Sequence, residues 1–168
     1  VAGIIGAVGN NGIGIAGAAW NVKLMHIKVF QSNGQGNSII ITEGVEYASS
    51  NGATIINMSF GSYAESQTLR TTLENAYSTA VLVGASGNNN LPLDCAPPPA
   101  QWGIHYPAAY NFVLGVEDFS GYYDNNDRTG PVNTFYVGGG PCAIFSTELL
   151  NYELQAPGTG IISTIPNG

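Results

Sequence analysis

Two short blocks carry residue types that could do chemistry. Val81-Leu82-Val83 runs into Gly84-Ala85-Ser86-Gly87-Asn88, and Ile55-Ile56-Asn57-Met58 runs into Ser59-Phe60-Gly61. An apolar run that ends in a polar, glycine-bearing turn is the pattern of a buried parallel strand whose carboxyl end forms part of a site. An amide held at such an end, beside a glycine that lets the backbone come close, can donate to an oxyanion developing in acyl transfer. One such donor contributes about 3 kcal/mol of transition-state stabilisation. Asn88 is the candidate. The competing reading is a plain turn through Asn88, Asn89 and Asn90, because asparagine tolerates left-handed backbone.

The elements that must position these blocks alternate. Small and apolar residues from Val1 to Val8 suit a buried helix, and Lys23 to Phe30 reads as a strand. Ile39 to Ser50 reads as a helix, with Ile40, Ile41, Gly44, Val45, Tyr47 and Ala48 at near-helical spacing. A strand over Thr54 to Met58, a helix over Gln67 to Ser78 and a strand over Val81 to Gly84 follow. This rhythm implies a parallel sheet with right-handed crossovers. Beyond Asn90 come a proline-rich loop from Leu91 to Trp102, a strand from Asn111 to Val116 and a polar turn region from Gly121 to Gly130. Short strands are expected at Phe135 to Val137, Leu154 to Ala156 and Ile161 to Ser163. No internal repeat or interdomain linker interrupts the chain.

Two other enzymatic patterns are present in part. Gly12-Ile13-Gly14-Ile15-Ala16-Gly17 satisfies G-x-G-x-x-G, but that fingerprint works after a strand, opening a helix, with an acid about 20 residues on. Here it follows an expected helix, and the first acid after Gly17 is the distant Glu43. Gly84-Ala85-Ser86-Gly87-Asn88 is a near miss to the G-x-S-x-G elbow, which would make Ser86 the nucleophile of an esterase. That arrangement needs an acid and then a histidine downstream, and only Asp94 followed by His105 is available, a compressed order.

Composition narrows the class. The chain has 168 residues, enough for one domain with a core. Only 9% of residues are charged, against about 25% in an average globular protein. The net charge of −7 leaves Lys23, Lys28, Arg70 and Arg128 without a basic cluster, which argues against nucleic acid. No apolar run approaches the ~18 residues of a membrane span, so no membrane partner is expected.

Taken in order, Val-Ala-Gly-Ile-Ile at Val1 to Ile5, Asn-Asn-Gly-Ile-Gly-Ile-Ala-Gly at Asn10 to Gly17, Ile-Asn-Met-Ser-Phe-Gly at Ile56 to Gly61, Ala-Ser-Gly-Asn at Ala85 to Asn88 and Ala-Pro-Gly at Ala156 to Gly158 resemble the subtilisin family of serine endopeptidases. The resemblance runs from the first residue to the last. It implies an α/β fold, a three-layer sandwich with a mainly parallel central sheet, of which this chain is an incomplete part. The family uses an Asp, His and Ser triad. Its catalytic His lies just before the Val-Ala-Gly block, and its nucleophilic Ser lies in a Gly-Thr-Ser-Met block beyond the segment resembling Ile161 to Pro166. Residues 1–168 are therefore expected to be the central part of one peptidase domain, inactive when isolated and carrying only the oxyanion donor, Asn88. A noncatalytic, peptide-binding pseudoenzyme is the alternative.

By the same resemblance, Gly34, Gln35 and Gly36 form one extended edge for the substrate backbone, and Ser59, Phe60 and Gly61 form the opposite one. Ala85, Ser86 and Gly87, with Phe60, wall the pocket for the residue before the scissile bond. His105 stands where the family usually has a glycine or another small residue, at the base of that pocket; it either narrows the pocket or swings away from it, and an ordinary loop histidine is the reading favoured over both that and a catalytic one. Tyr106-Pro107 resembles a family turn whose proline is often cis. Gly9 to Ile15 matches a calcium-binding loop, with Asn11 giving its amide oxygen and Gly9, Ile13 and Ile15 their carbonyls. Calcium is thus the expected structural cofactor, held weakly by this piece alone because calcium takes about six to eight oxygens. The expected protein is secreted and monomeric, with a peptide or protein substrate as partner. In an extracellular protein, Cys95 and Cys142 are expected to form one bridge pinning two loops; two free thiols are the alternative.

Overall fold

A computed structural model describes residues 1–87, 105–118, 154–156 and 163. Asn88, Cys95, Cys142, the proline-rich loop, the polar turn region, the strand expected at 135–137 and most of that at 161–163 lie outside the described residues.

The described sheet has four parallel strands in the order β1 (Ile55–Met58), β2 (Val81–Ala85), β3 (Leu114–Asp118) and β4 (Leu154–Ala156). Ile55 stands beside Val81, Val83 beside Leu114 and Val116 beside Leu154. The carboxyl ends of β1 and β2 therefore open side by side, and the two glycine turns that follow them are neighbours.

Helices α2 (Ser38–Ser50) and α3 (Gln67–Tyr77) pack on each other and cover one face of the sheet. Each starts at a side chain that satisfies a free backbone N–H. The Asn37 amide oxygen accepts from the Ile39 N–H at 2.8 Å, and the Ser66 hydroxyl accepts from Leu69 at 3.3 Å. On α3 the buried residues are Leu69, Thr72, Leu73 and Ala76, one stripe at i, i+3, i+4 and i+7. That stripe meets Ile56, Met58 and Leu82 from the strands, and Val45 and Ala48 from α2. On α2 the buried positions are Thr42, Val45 and Ala48, whereas Ile40 and Tyr47 are exposed.

The other face of the sheet is apolar and open: Ile55, Val81, Leu114 and Leu154 are all exposed, Ile55 to 64%. Parallel sheets bury both faces. Of the expected three layers, the sheet and one helical layer are among the described residues.

Three expectations change in detail. The first helix, α1, is only Ala2–Gly6 and buries no residue. Its carbonyls instead hold a following segment, Ala18 and Ala19 donating to Ile4 and Ile5 at 2.8 and 2.9 Å. Lys23 to Phe30 forms no strand; its one bridge joins Phe30 to Gly36, and Ile27 and Val29 lie against α2 at Gly44. Its β-branched alternation serves packing on a helix, with no ladder partner among the described residues. Finally, β3 begins at Leu114 rather than Asn111. Residues 107–113 are tied into turns by Tyr110 N–H to Pro107 and Val113 N–H to Tyr110, at 3.1 and 2.9 Å.

Those turns press on the sheet. A Cβ on Gly84 would lie 2.9 Å from the Ala108 Cα, so only glycine lets the turn seat against β2. Tyr110 is buried beneath it, with its hydroxyl donating to the Ser66 carbonyl at 3.4 Å and its ring stacked on Phe112 at 5.3 Å. Burial, with the nearby Glu65 charge, pushes its phenol up to about 12. This anchoring fixes the segment that carries His105.

Candidate functional site

Residues 31–35 make a tight turn. Gln31 N–H donates to the Gln35 carbonyl at 2.9 Å, Gly34 N–H donates back to Gln31 at 3.0 Å, and the Asn33 amide oxygen accepts from the Gln35 N–H at 2.9 Å. Gly34 has φ +78°, a value that favours glycine. Gly36 then pairs with Phe30, lying against its ring. The Phe30 ring meets the Phe60 ring edge-on at 5.1 Å between centroids. This aromatic pair brings the Gly34–Gly36 edge to the Ser59–Gly61 edge. Sequence reasoning did not single out Phe30, and only its place between a strand-like run and a glycine turn could have marked it.

At the end of β1 the Ser59 hydroxyl accepts from the Asn57 amide at 2.9 Å. Beyond it, Ser62 and Tyr106 exchange a pair of backbone hydrogen bonds, both 2.9 Å. The Tyr106–Pro107 peptide is cis. The pairing carries His105 to Gly61, where an added Cβ would lie 2.5 Å from both the imidazole Nδ1 and the Tyr106 carbonyl oxygen. At the end of β2, Ser86 N–H donates to Val116 at 2.9 Å, and Gly87 has φ +99°. A Cβ on Gly87 would meet the His105 ring at 3.3 Å. His105 Nδ1 sits 3.0 Å from the Ala85 carbonyl oxygen. A carbonyl only accepts, so this contact places a proton on Nδ1. Tyr63, which sequence reasoning also missed, stands edge-on to the imidazole at 5.3 Å.

The structure thus gathers Ser59, Phe60, Gly61, Ala85, Ser86, Gly87 and His105 into one place, with Gly34, Gln35 and Gly36 joined through Phe30. Asn88, the next residue after Gly87, lies outside the described residues.

The whole span of residues 1–167 matches one family, described as the Subtilase family. The chain belongs to the subtilase family. Subtilisin DY of Bacillus licheniformis is 34% identical over 167 residues, covering 99% of this chain and 53% of its own length. The minor extracellular protease Epr of Bacillus subtilis is 35% identical over 170 residues, covering 99% of this chain and 22% of its own length. Among solved structures, the S41 psychrophilic protease superposes with a TM-score of 0.59 at 28% identity, covering 74% of this chain and 40% of that one. The subtilase chain therefore spans about half the length of these curated relatives or less. Its incomplete α/β architecture is the subtilisin-like one.

The glycine loop after α1 is separate from the gathered residues in sequence. Asn10, Gly12 and Gly14 take positive φ of 57°, 70° and 61°, and the Asn11 amide oxygen accepts from the Ile13 N–H at 3.0 Å. The oxygens expected there, the Asn11 amide oxygen and the Gly9, Ile13 and Ile15 carbonyls, are all neutral and fewer than the about six to eight that calcium takes. Among the described residues no group of three or more His, Cys, Asp or Glu could hold a metal, and no helix is long and apolar enough to cross a membrane. The loop on its own does not make a complete calcium site.

Proposed function

We propose that this subtilase chain is the central part of the peptidase domain of a secreted serine endopeptidase, which cleaves peptide bonds through an acyl-enzyme. The observation that carries the reading is the convergence of two glycine-bearing edges, Gly34–Gly36 and Ser59–Gly61, beside the Ala85–Gly87 segment at the carboxyl ends of β1 and β2. A peptide laid between two such edges pairs as an added strand, so main-chain hydrogen bonds supply affinity and the adjoining pocket supplies selectivity. The kinship with an extracellular protease supports secretion.

In this reading the triad comes from segments flanking the chain. A histidine takes the proton from a serine as it attacks the peptide carbonyl, and an aspartate orients that histidine. Asn88, directly after the left-handed Gly87, then donates its amide to the oxyanion. Ser86 forms part of the pocket wall and attacks nothing. Purified full-length protein is expected to hydrolyse unstructured polypeptides such as casein, and a fluorophosphonate is expected to abolish the activity. A folded full-length protein that cleaves nothing would leave a peptide-binding fold.

The loop from Gly9 to Ile15 belongs to the proposal as part of a calcium site completed by oxygens from other segments. Removing calcium from the full-length protein with EGTA is expected to lower its Tm by roughly 5 °C or more, restored by added calcium. An unchanged Tm would remove calcium from the account.

A further inference from the structure

We propose that Asn11 is a site of spontaneous covalent modification, at which the side-chain amide is converted through a cyclic imide to aspartate and isoaspartate. The inference is independent of the peptidase reading, because the reaction uses one side chain and the backbone nitrogen that follows it.

The chemistry is an intramolecular acyl transfer. The Gly12 backbone nitrogen attacks the Asn11 side-chain carbon Cγ and a new N–Cγ bond forms. The Cγ–Nδ2 bond breaks, and ammonia leaves with the proton that Gly12 gives up. Water then adds to either carbonyl of the imide. Opening on one side gives aspartate; opening on the other gives isoaspartate, with one extra methylene in the main chain. Nothing is oxidised or reduced, and no metal or catalytic side chain takes part. Because the reacting groups belong to adjacent residues, the ring closure has the advantage of proximity.

Three Asn-Gly pairs lie among the described residues, Asn11-Gly12, Asn33-Gly34 and Asn51-Gly52, and all are exposed. Their glycines have φ of +70°, +78° and +79°, so neither exposure nor turn conformation separates them. Hydrogen bonding does. Gly34 N–H donates to the Gln31 carbonyl at 3.0 Å, and Gly52 N–H donates to the Ser49 carbonyl at 3.1 Å. The nitrogens that would depart are held too: Asn33 Nδ2 donates to Gln35 Oε1 at 3.3 Å, and Asn51 Nδ2 donates to the Tyr47 carbonyl at 2.8 Å. Both pairs must give up these bonds before the ring closes, and each bond slows the step by roughly two- to tenfold.

At Asn11-Gly12 neither nitrogen has a hydrogen-bond partner among the described residues. A Cβ on Gly12 would meet nothing within 4 Å, so the imide ring closes into open space. The bond that the Asn11 side chain does make assists the reaction, since Ile13 N–H donates to Oδ1 at 3.0 Å. Negative charge collects on that oxygen as nitrogen adds to Cγ, and a donor already in place stabilises it. Asn33 has a similar donor in Gln35 N–H, but its two reacting nitrogens are tied. Either product makes the uncharged stretch from Gly9 to Ile15 anionic, and isoaspartate also lengthens the chain between residues 11 and 12.

The test incubates folded full-length protein, treated with a fluorophosphonate to prevent self-digestion, in mildly alkaline buffer below its Tm. Peptide mapping by mass spectrometry follows the amide-to-carboxylate mass gain at each pair, and an isoaspartyl methyltransferase with a labelled methyl donor counts isoaspartate. Asn11 is expected to convert about tenfold faster than Asn33 or Asn51, or more, with isoaspartate among its products. In guanidinium chloride, where the fixed hydrogen bonds are gone, the three rates are expected to converge to within about threefold. No conversion at Asn11, or conversion at Asn33 or Asn51 as fast as at Asn11 in the folded protein, would overturn the proposal. So would a denatured chain that kept the folded ratio, because neighbouring residues and not the hydrogen bonding would then set the rates. The comparison is made within one wild-type chain, so it does not depend on a variant that folds.

Discussion

Replacing Asn88 with Ala in the full-length protein is expected to lower kcat about 100- to 1000-fold while KM changes little. The split between the two constants is the informative part. A side-chain amide aimed at an oxyanion acts when negative charge has developed, so its loss raises the barrier without weakening the ground-state complex. Gly87, with φ +99°, stands two residues past the end of β2 and is the last residue before Asn88 in the sequence. A KM increase at constant kcat would make Asn88 a ground-state binding residue, and an unchanged kcat would remove it from the mechanism.

The 168-residue chain by itself is expected to show no peptide hydrolysis and to take no fluorophosphonate label, at Ser86 or elsewhere. A serine hydroxyl is a weak nucleophile until an adjacent base takes its proton, and in the proposed mechanism both the nucleophile and its base lie in flanking segments. The open sheet face carrying Ile55, Val81, Leu114 and Leu154 also makes the isolated chain prone to aggregate, so the assay belongs at low protein concentration. Turnover by the pure chain that disappeared in Ser86→Ala would overturn the assignment and revive an esterase with Ser86 as its nucleophile.

Much of the site-bearing framework was legible because its signals are local. The apolar runs at Ile55–Met58 and Val81–Ala85 stop at glycine-bearing turns, and α3 shows an unbroken stripe from Leu69 to Ala76 behind a serine cap. Lys23 to Phe30 misled because alternating β-branched residues also suit a segment that lies on a helix, as Ile27 and Val29 lie on Gly44. The start of β3 was misplaced because Phe112 and Val113 carry strand-like side chains while their backbone completes turns over buried Tyr110.

The site itself was legible as a collection of residues and not as an arrangement. His105 stands out as a departure from a small residue, but its placement depends on the Ser62–Tyr106 pairing and on contact with Gly61 and Gly87, which come earlier in the chain. No pattern within the His105 segment encodes the Ala85 carbonyl as its partner. Phe30 and Tyr63 were overlooked for a related reason: each acts by packing on another ring, and isolated aromatics carry no spacing signal.

We propose that this subtilase chain lies between the catalytic histidine and the catalytic serine of an active peptidase. Reading the coding sequence on both sides tests it most directly. His-Gly-Thr-His is expected immediately before Val1 and Gly-Thr-Ser-Met soon after Gly168. Other residues at those positions would contradict it and leave a subtilisin-like fold that binds peptides without cutting them.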